Sequence, residues 1–194
     1  MDLEELVKEA FEEGIHVKER FLKENIGKMI DTSSKIVERI KHGGGVFFMG
    51  NGGSAADAAH LSAELVGRFY INRVPIRSAS FASNLSILTE IPNDFGFEYL
   101  FERQVEAYVK PEDVVIGIST SGKSLNVIRA LKKTKEIGAF TVGFTGRYGD
   151  EMKICDVLFT VDSDKTPRIQ ETHILLGHTL CQLIEYELFG DGKS

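Results

Sequence analysis

From Val46 onward the chain repeats one pattern: a short apolar run, a turn, then a stretch with helical periodicity. The runs are Val46 to Met49, Arg77 to Phe81, Val114 to Ile118, Phe140 to Phe144 and Val157 to Val161. They are apolar on both faces, as strands covered on both sides must be, and that alternation predicts a parallel sheet under helices. The helical stretches at about 54–67, 123–137 and 168–189 have the length a parallel crossover needs. A doubly wound α/β sandwich of five strands follows. Upstream, Leu3, Leu6, Val7, Ala10 and Phe11 recur at helical spacing, as do Met29, Ile30, Ile36, Val37 and Ile40. This predicts two N-terminal helices, a hairpin over 1–44, set against an α/β core over 45–194. No repeat or long linker divides the chain, so 1–194 is expected to form a single domain.

Composition narrows the partners. Lys and Arg total 23 against 29 Asp and Glu, a formal charge of −6, which lacks the basic field that nucleic-acid binding uses. Cys155 and Cys181 have no C-x-x-C spacing and are expected as buried, reduced thiols. The start, Met1-Asp2-Leu3-Glu4-Glu5, is acidic where a secretory signal is basic, and no apolar run reaches the roughly 20 residues that span a bilayer. The expectation is a cytoplasmic protein with no membrane or nucleic-acid partner.

In a doubly wound sheet, ligands bind where strands end and helix N-termini offer free N–H groups and a positive dipole. Two loops have that form. Gly50-Asn51-Gly52-Gly53-Ser54 follows the first strand, with glycines for close backbone approach and Ser54 placed to cap the next helix. Ser119-Thr120-Ser121-Gly122-Lys123-Ser124 follows the third, its four hydroxyls suited to holding phosphate with little cationic charge. Either loop alone could be no more than a capped turn.

The second loop also satisfies the nucleotide-binding pattern G-x-x-x-x-G-K-[ST] from Gly117 to Ser124, and Asp162 ends a later strand where a magnesium ligand would sit. Gly117 and Ile118, however, belong to the strand pattern instead of opening a loop. A nucleotide site would also leave two other polar clusters unexplained. One is His60 with Glu64, four apart and therefore on one face of the helix that starts near Ser54. Such a pair is more often a solvated surface pair than a ligand set; here Ala55, Ala56, Ala58, Ala59 and Ala63 suit close packing around it and place it in a cleft. The other cluster is Gln170-Glu171-Thr172-His173 with His178. Gln170 and His178 are separated by about 12 Å along a helix, so both reach one point only from a frayed helix start or from different chains. His173 is expected as a packing residue.

Taken together, Gly50 to Ser54 with His60 and Glu64, Asn93-Asp94 before Arg103-Gln104, Ser119 to Ser124, and Arg168-Ile169-Gln170-Glu171 with His178 resemble the SIS-domain phosphoheptose isomerases over nearly the whole chain. The resemblance implies a flavodoxin-like five-stranded α/β/α sandwich and a homotetramer with active sites formed between subunits. It implies conversion of sedoheptulose 7-phosphate to D-glycero-D-manno-heptose 7-phosphate, the first step toward activated heptoses of bacterial surface polysaccharides such as lipopolysaccharide. Carried over by position, Ser119, Thr120, Ser121 and Ser124 hold the phosphate. Asn51, Gly52, Gly53, Asn93 and Asp94 bind the hydroxylated chain, with Glu64 and Gln170 also facing substrate. His60, Glu64, Gln170 and His178 match the family's zinc ligands, one zinc per site.

The residue types suit the chemistry. Moving a carbonyl between C2 and C1 requires a base beside the carbonyl carbon, a group to hold the enediol charge and an acid for the neighbouring carbon. Glu64 is the natural base and His178 the natural acid, and zinc could polarise the carbonyl. Pro167 departs from relatives that carry an acid three residues before the glutamine. A second class of SIS protein, a non-enzymatic regulator that binds a replication initiator, lacks the residue matching Glu64 and has Asn in place of His178. Two-domain amidotransferase isomerases require two SIS repeats, and sugar-phosphate-responsive repressors require a basic recognition helix that residues 1–44 do not supply.

Overall fold

The computed structural model describes residues 2–190. Met1 and residues 191–194, the ends of the expected 1–194 span, lie outside the described residues. Strands β1 (Val46–Gly50), β2 (Ser78–Ser80), β3 (Val114–Ser119), β4 (Phe140–Gly146) and β5 (Val157–Val161) form one sheet in the order β2-β1-β3-β4-β5. Every neighbouring pair is parallel. Strand order therefore reverses between β1 and β3, and the crevice of a doubly wound sheet opens at their carboxyl ends. Those ends lead into the glycine turn and the hydroxyl loop.

Among the described residues the α-helices are α1 (Leu3–Lys41), α2 (Gly53–Val66), α3 (Leu85–Phe95), α4 (Glu102–Tyr108), α5 (Leu125–Ile137) and α6 (Thr166–Phe189). Strand residues alternate between two cores. Val46, Phe48, Ile116, Ile118, Val142 and Phe144 face α1, α2 and α6, burying Ile36, Leu61 and Leu176. Phe47, Met49 and Val115 face the other way, onto Val105 of α4 and Val127 and Leu131 of α5. This is the α/β/α sandwich that the doubly apolar strands predict.

The N-terminal hairpin is corrected. Residues 3–41 form one continuous helix of 39 residues, about 58 Å long at 1.5 Å per residue. The two apolar groups lie at its opposite ends, and the segment joining them contains no proline and many good helix formers, among them Lys18, Glu19, Arg20, Lys23 and Glu24. Asp2 caps the start by accepting the Glu4 N–H at 3.0 Å, and Arg39 and Lys41 in the last turn complement the helix dipole. One face, with Val17, Phe21, Met29 and Ile36, is buried on the sheet and α6; another leaves Phe11 at 72% and Ile26 at 57% exposure. The expected strand Arg77 to Phe81 shortens to an edge strand of three residues, while the Phe81 N–H still reaches the Phe48 carbonyl at 2.9 Å.

Candidate active site

β1 runs straight into the turn that opens α2. Gly52 is the N-cap, with φ of 55° that favours glycine, and no side chain caps this helix. Ser54 is thus not the expected cap. Because the helix begins at Gly53, Ser54 falls inside the first turn, buried, with its N–H bonded to the Asn51 carbonyl at 3.0 Å. Gly53 serves a different need: a Cβ there would lie 2.4 Å from Gln170 Nε2. α6 crosses closely over the turn, with the Gln170 amide against it.

The second loop leaves β3 and enters α5. Ser119 Oγ donates to Ser124 Oγ at 3.0 Å, and the Lys123 N–H donates to Ser121 Oγ at 3.2 Å. Ser124 is the N-cap of α5 without a side-chain hydrogen bond to the helix, so first-turn N–H groups point toward the loop's open side. Thr120, Ser121 and Lys123 line a cavity of about 190 Å³ shared with Tyr148 and Thr166. Gly117 and Ile118 are paired inside β3 with Gly143 and Phe144. The nucleotide pattern therefore lacks its loop; only 119–124 turns.

Asn126 ties the two loops together. Its carboxamide exchanges two hydrogen bonds of 2.9 Å with that of Asn51, and its Oδ1 accepts the Val127 N–H at 2.9 Å. Sequence reasoning missed it; the available signal was a polar amide flanked by Leu125, Val127 and Ile128 on a helix that must pack against the sheet.

α2 and α6 bring three groups together between them, two to three turns along α2 from the glycine turn. His60 Nε2 lies 2.8 Å from His178 Nε2 and 3.4 Å from Glu64 Oε1. One donor atom from each of His60, Glu64 and His178 falls within a 4.8 Å set. The His60 and Glu64 side chains are 48% and 23% exposed, so the trio is reachable from solvent yet walled. Burial, then the neighbouring His60, lowers the His178 pKa, while Glu64 opposes that shift. Two neutral imidazole nitrogens and a carboxylate oxygen converging this closely fit a divalent zinc-type cation.

Asp57, one turn before His60, was also missed. Its Oδ2 is buried without a hydrogen-bond partner among the described residues, and burial raises its pKa against the pull of His60. The signal was an acid embedded among Ala55, Ala56, Ala58 and Ala59.

Other expected residues fall elsewhere. Gln170 faces Gly53 at the start of α2, not the trio near its far end. Asn93 donates to Asp94 at 2.7 Å on α3, a helix with no buried residue. Among the described residues, neither hydrogen-bonds to the other site residues. His173 is fully buried, with Nε2 at 3.2 Å from the Thr145 carbonyl oxygen, and burial drives its pKa down to about 4. It is a packing residue as expected. Cys155 and Cys181 are free thiols, each pushed up to about 12 chiefly by burial. Among the described residues no helix is long and apolar enough to cross a membrane.

A match to the SIS domain family covers residues 11–146. The chain is 50% identical over 182 residues to a phosphoheptose isomerase of Aquifex aeolicus, spanning 93% of this chain and 95% of that protein. Its fold superposes on the phosphoheptose isomerase of Neisseria gonorrhoeae with a TM-score of 0.88 at 36% identity, covering 95% of this chain and 99% of that one. The Francisella tularensis phosphoheptose isomerase gives 0.91 at 27% identity, covering 95% and 98%. A helix-covered sheet with its polar site at the β1/β3 crevice, matched at this level, is a sugar-isomerase SIS fold. The chain belongs to the phosphoheptose isomerase family.

Proposed function

We propose that this protein is an aldose–ketose isomerase that converts sedoheptulose 7-phosphate to D-glycero-D-manno-heptose 7-phosphate through an enediol. This is the first step of activated-heptose biosynthesis. The observation that carries the reading is the convergence of Glu64, His60 and His178 within 4.8 Å between α2 and α6, on a chain whose relatives are named for this activity. The hydroxyls of Ser119, Thr120, Ser121 and Ser124, with the α5 N-terminus, grip the phosphate. Asn51, Gly52 and Gly53 meet the sugar chain, and Asn93 and Asp94 reach it from a neighbouring subunit.

Glu64 removes the proton from C1 of the ketose and His178 delivers one to C2, while the O1 proton passes to O2, so that C1 becomes the aldehyde carbon and C2 the carbinol. Burial lowers the His178 pKa and so favours the neutral form that binds a cation; to act as the acid, His178 must leave the cation and carry a proton. His60, Glu64 and His178 would hold zinc, with Gln170 as a fourth donor completed between chains. When bound, zinc polarises the carbonyl. A carboxylate held by a cation is a poorer base, so Glu64 must loosen from it to take the proton.

We place the enzyme in the cytoplasm as a homotetramer. In support, α1 leaves Phe11, Ile15, Leu22 and Ile26 exposed along one stripe, and α3 leaves Leu85 at 75% exposure. Such apolar faces call for cover by further copies of the chain.

Incubation of the purified protein with sedoheptulose 7-phosphate, with zinc added or stripped by chelator, tests the reading. Formation of the aldose phosphate, diminished by the chelator, is expected. No aldose phosphate with zinc supplied would instead favour the non-enzymatic SIS regulator that binds a replication initiator.

A further inference from the structure

Between α2 and β2, residues 67–77 contain neither helix nor strand, yet they are tied down from both ends by one ion pair. Glu185, on α6 and 1% exposed, accepts four hydrogen bonds on its two carboxylate oxygens. Oε1 takes the Phe69 N–H at 2.9 Å and Arg73 Nε at 3.1 Å. Oε2 takes the N–H groups of Tyr70 at 2.6 Å and Ile71 at 2.9 Å. Burial alone would raise this carboxyl's pKa, but the three N–H groups and Arg73 hold it below the ordinary range. A charge this enclosed is sustained because its acceptor capacity is filled.

Arg73 uses its other donors on the last turn of α2. Nη1 reaches the Leu65 carbonyl at 2.7 Å, and Nη2 reaches the carbonyl of Glu64 itself at 2.9 Å. Further bonds run from Nη1 to the Gly67 and Val74 carbonyls. The carbonyls at a helix C-terminus lack intrahelical partners, so the guanidinium acts as their cap. Both side chains are 2% exposed. The clamp has two outputs at the trio: it holds the backbone of Glu64, and it fixes Phe69, whose ring centroid lies 5.7 Å from that of His178.

The geometry points to Glu185 and Arg73 as positioning residues of the isomerase: their ion pair sets the 67–73 segment so that Glu64 and His178 keep their working orientation toward substrate and cation. Neither touches the reacting atoms. Glu185 reaches the site through the backbone of 69–71, and Arg73 through the carbonyl end of α2. The inference rests on the isomerase reading only for its kinetic consequences.

The test compares parent, Glu185→Gln and Arg73→Lys well below their unfolding temperatures. Gln presents an amide N–H₂ where N–H groups must be accepted, and Lys keeps the charge but loses the fork. For folded variants the inference expects kcat to fall at least tenfold with the KM for sugar phosphate changed less than threefold. Zinc affinity, measured by competition with a chromophoric chelator on metal-free protein, should fall at least tenfold as well. In the parent, the amides of Phe69, Tyr70 and Ile71 should exchange with deuterium as slowly as those of α2 although they lie outside any helix or strand. Lowered melting temperature with parental kcat and zinc affinity would show a purely structural pair and overturn the inference. If neither variant folds, fast exchange at 69–71 in the parent overturns it. If the parent does not isomerise sedoheptulose 7-phosphate, the functional reading fails while zinc affinity and exchange still decide the clamp.

Discussion

At the residue scale, chemistry and packing separate cleanly in the histidines. His60 and His178 face one another between α2 and α6, while His173 is sealed beside Phe144. Helical spacing put His60 and Glu64 on one face, and the resemblance to the isomerases joined His178 to them. Asn126 and the Glu185–Arg73 pair were not legible, because each matters through a partner about 75 or 112 positions away whose approach only the tertiary fold defines, and Asp57 was not, because only the packing around α2 shows that its carboxylate is buried. Asn126→Ala should leave the Asn51 amide without its partner and loosen one loop from the other. A buried unpaired amide costs about 1–3 kcal/mol, so the KM for sugar phosphate should rise on the order of tenfold, read from initial rates.

His173 gives a pH prediction of definite sign. Its folded pKa of about 4 lies below the roughly 6.5 of an unfolded histidine, so the unfolded chain takes up the proton first as pH falls. The contribution is intact above about pH 6.5 and is lost as pH drops toward 4. Between pH 7 and pH 5 the loss should be about 2 kcal/mol. Urea unfolding at both pH values should show a smaller drop in His173→Asn than in the parent, whatever the variant's stability at pH 7.

At the element scale, the strands were the most legible feature and the N-terminal helix the least. Strands buried on both faces announce themselves as apolar runs bounded by turns, and β5 spans Val157–Val161 as expected. α1 reads as two helices only if apolar grouping is taken as the sign of a boundary. With no proline or cap between Phe11 and Met29, the helix simply continues, and its outer stripe is left without a partner in one chain. α3 escaped notice because none of its residues is fully buried, only Leu88 and Ile91 packing partly on the core, although Asn84 marks its start by accepting N–H groups of Ser86 and Ile87. Leu22→Glu with Ile26→Glu tests what that stripe does. Both residues are more than half exposed in the single chain, so helical content should persist while the sedimentation coefficient falls below that of the parent. An unchanged oligomer would remove the stripe from the assembly interface.

At the scale of the whole molecule, the reversal of strand order between β1 and β3 explains why one crevice gathers both loops, while the packing of α6 on α2 brings the trio together. Alternating runs and helices foretold the layers, whereas the order of the strands followed from the resemblance. A groove of about 830 Å³ between α1 and the start of α6 meets the hydroxyl-loop cavity at Ser163, Asp164 and Thr166, and paired charges such as Lys165–Glu13 and Arg147–Asp162 line it, but His60, Glu64 and His178 do not. Volume therefore does not locate the chemistry; converging side chains do. The most direct measurement is the turnover of sedoheptulose 7-phosphate, followed by NMR, in parent, Glu64→Gln and His178→Asn proteins loaded with zinc. A positioned acid or base contributes about 10² to 10⁴ in rate, so each variant should lose at least a hundredfold in kcat while still binding the sugar phosphate. Isomerisation by both variants at the parental rate would contradict the account.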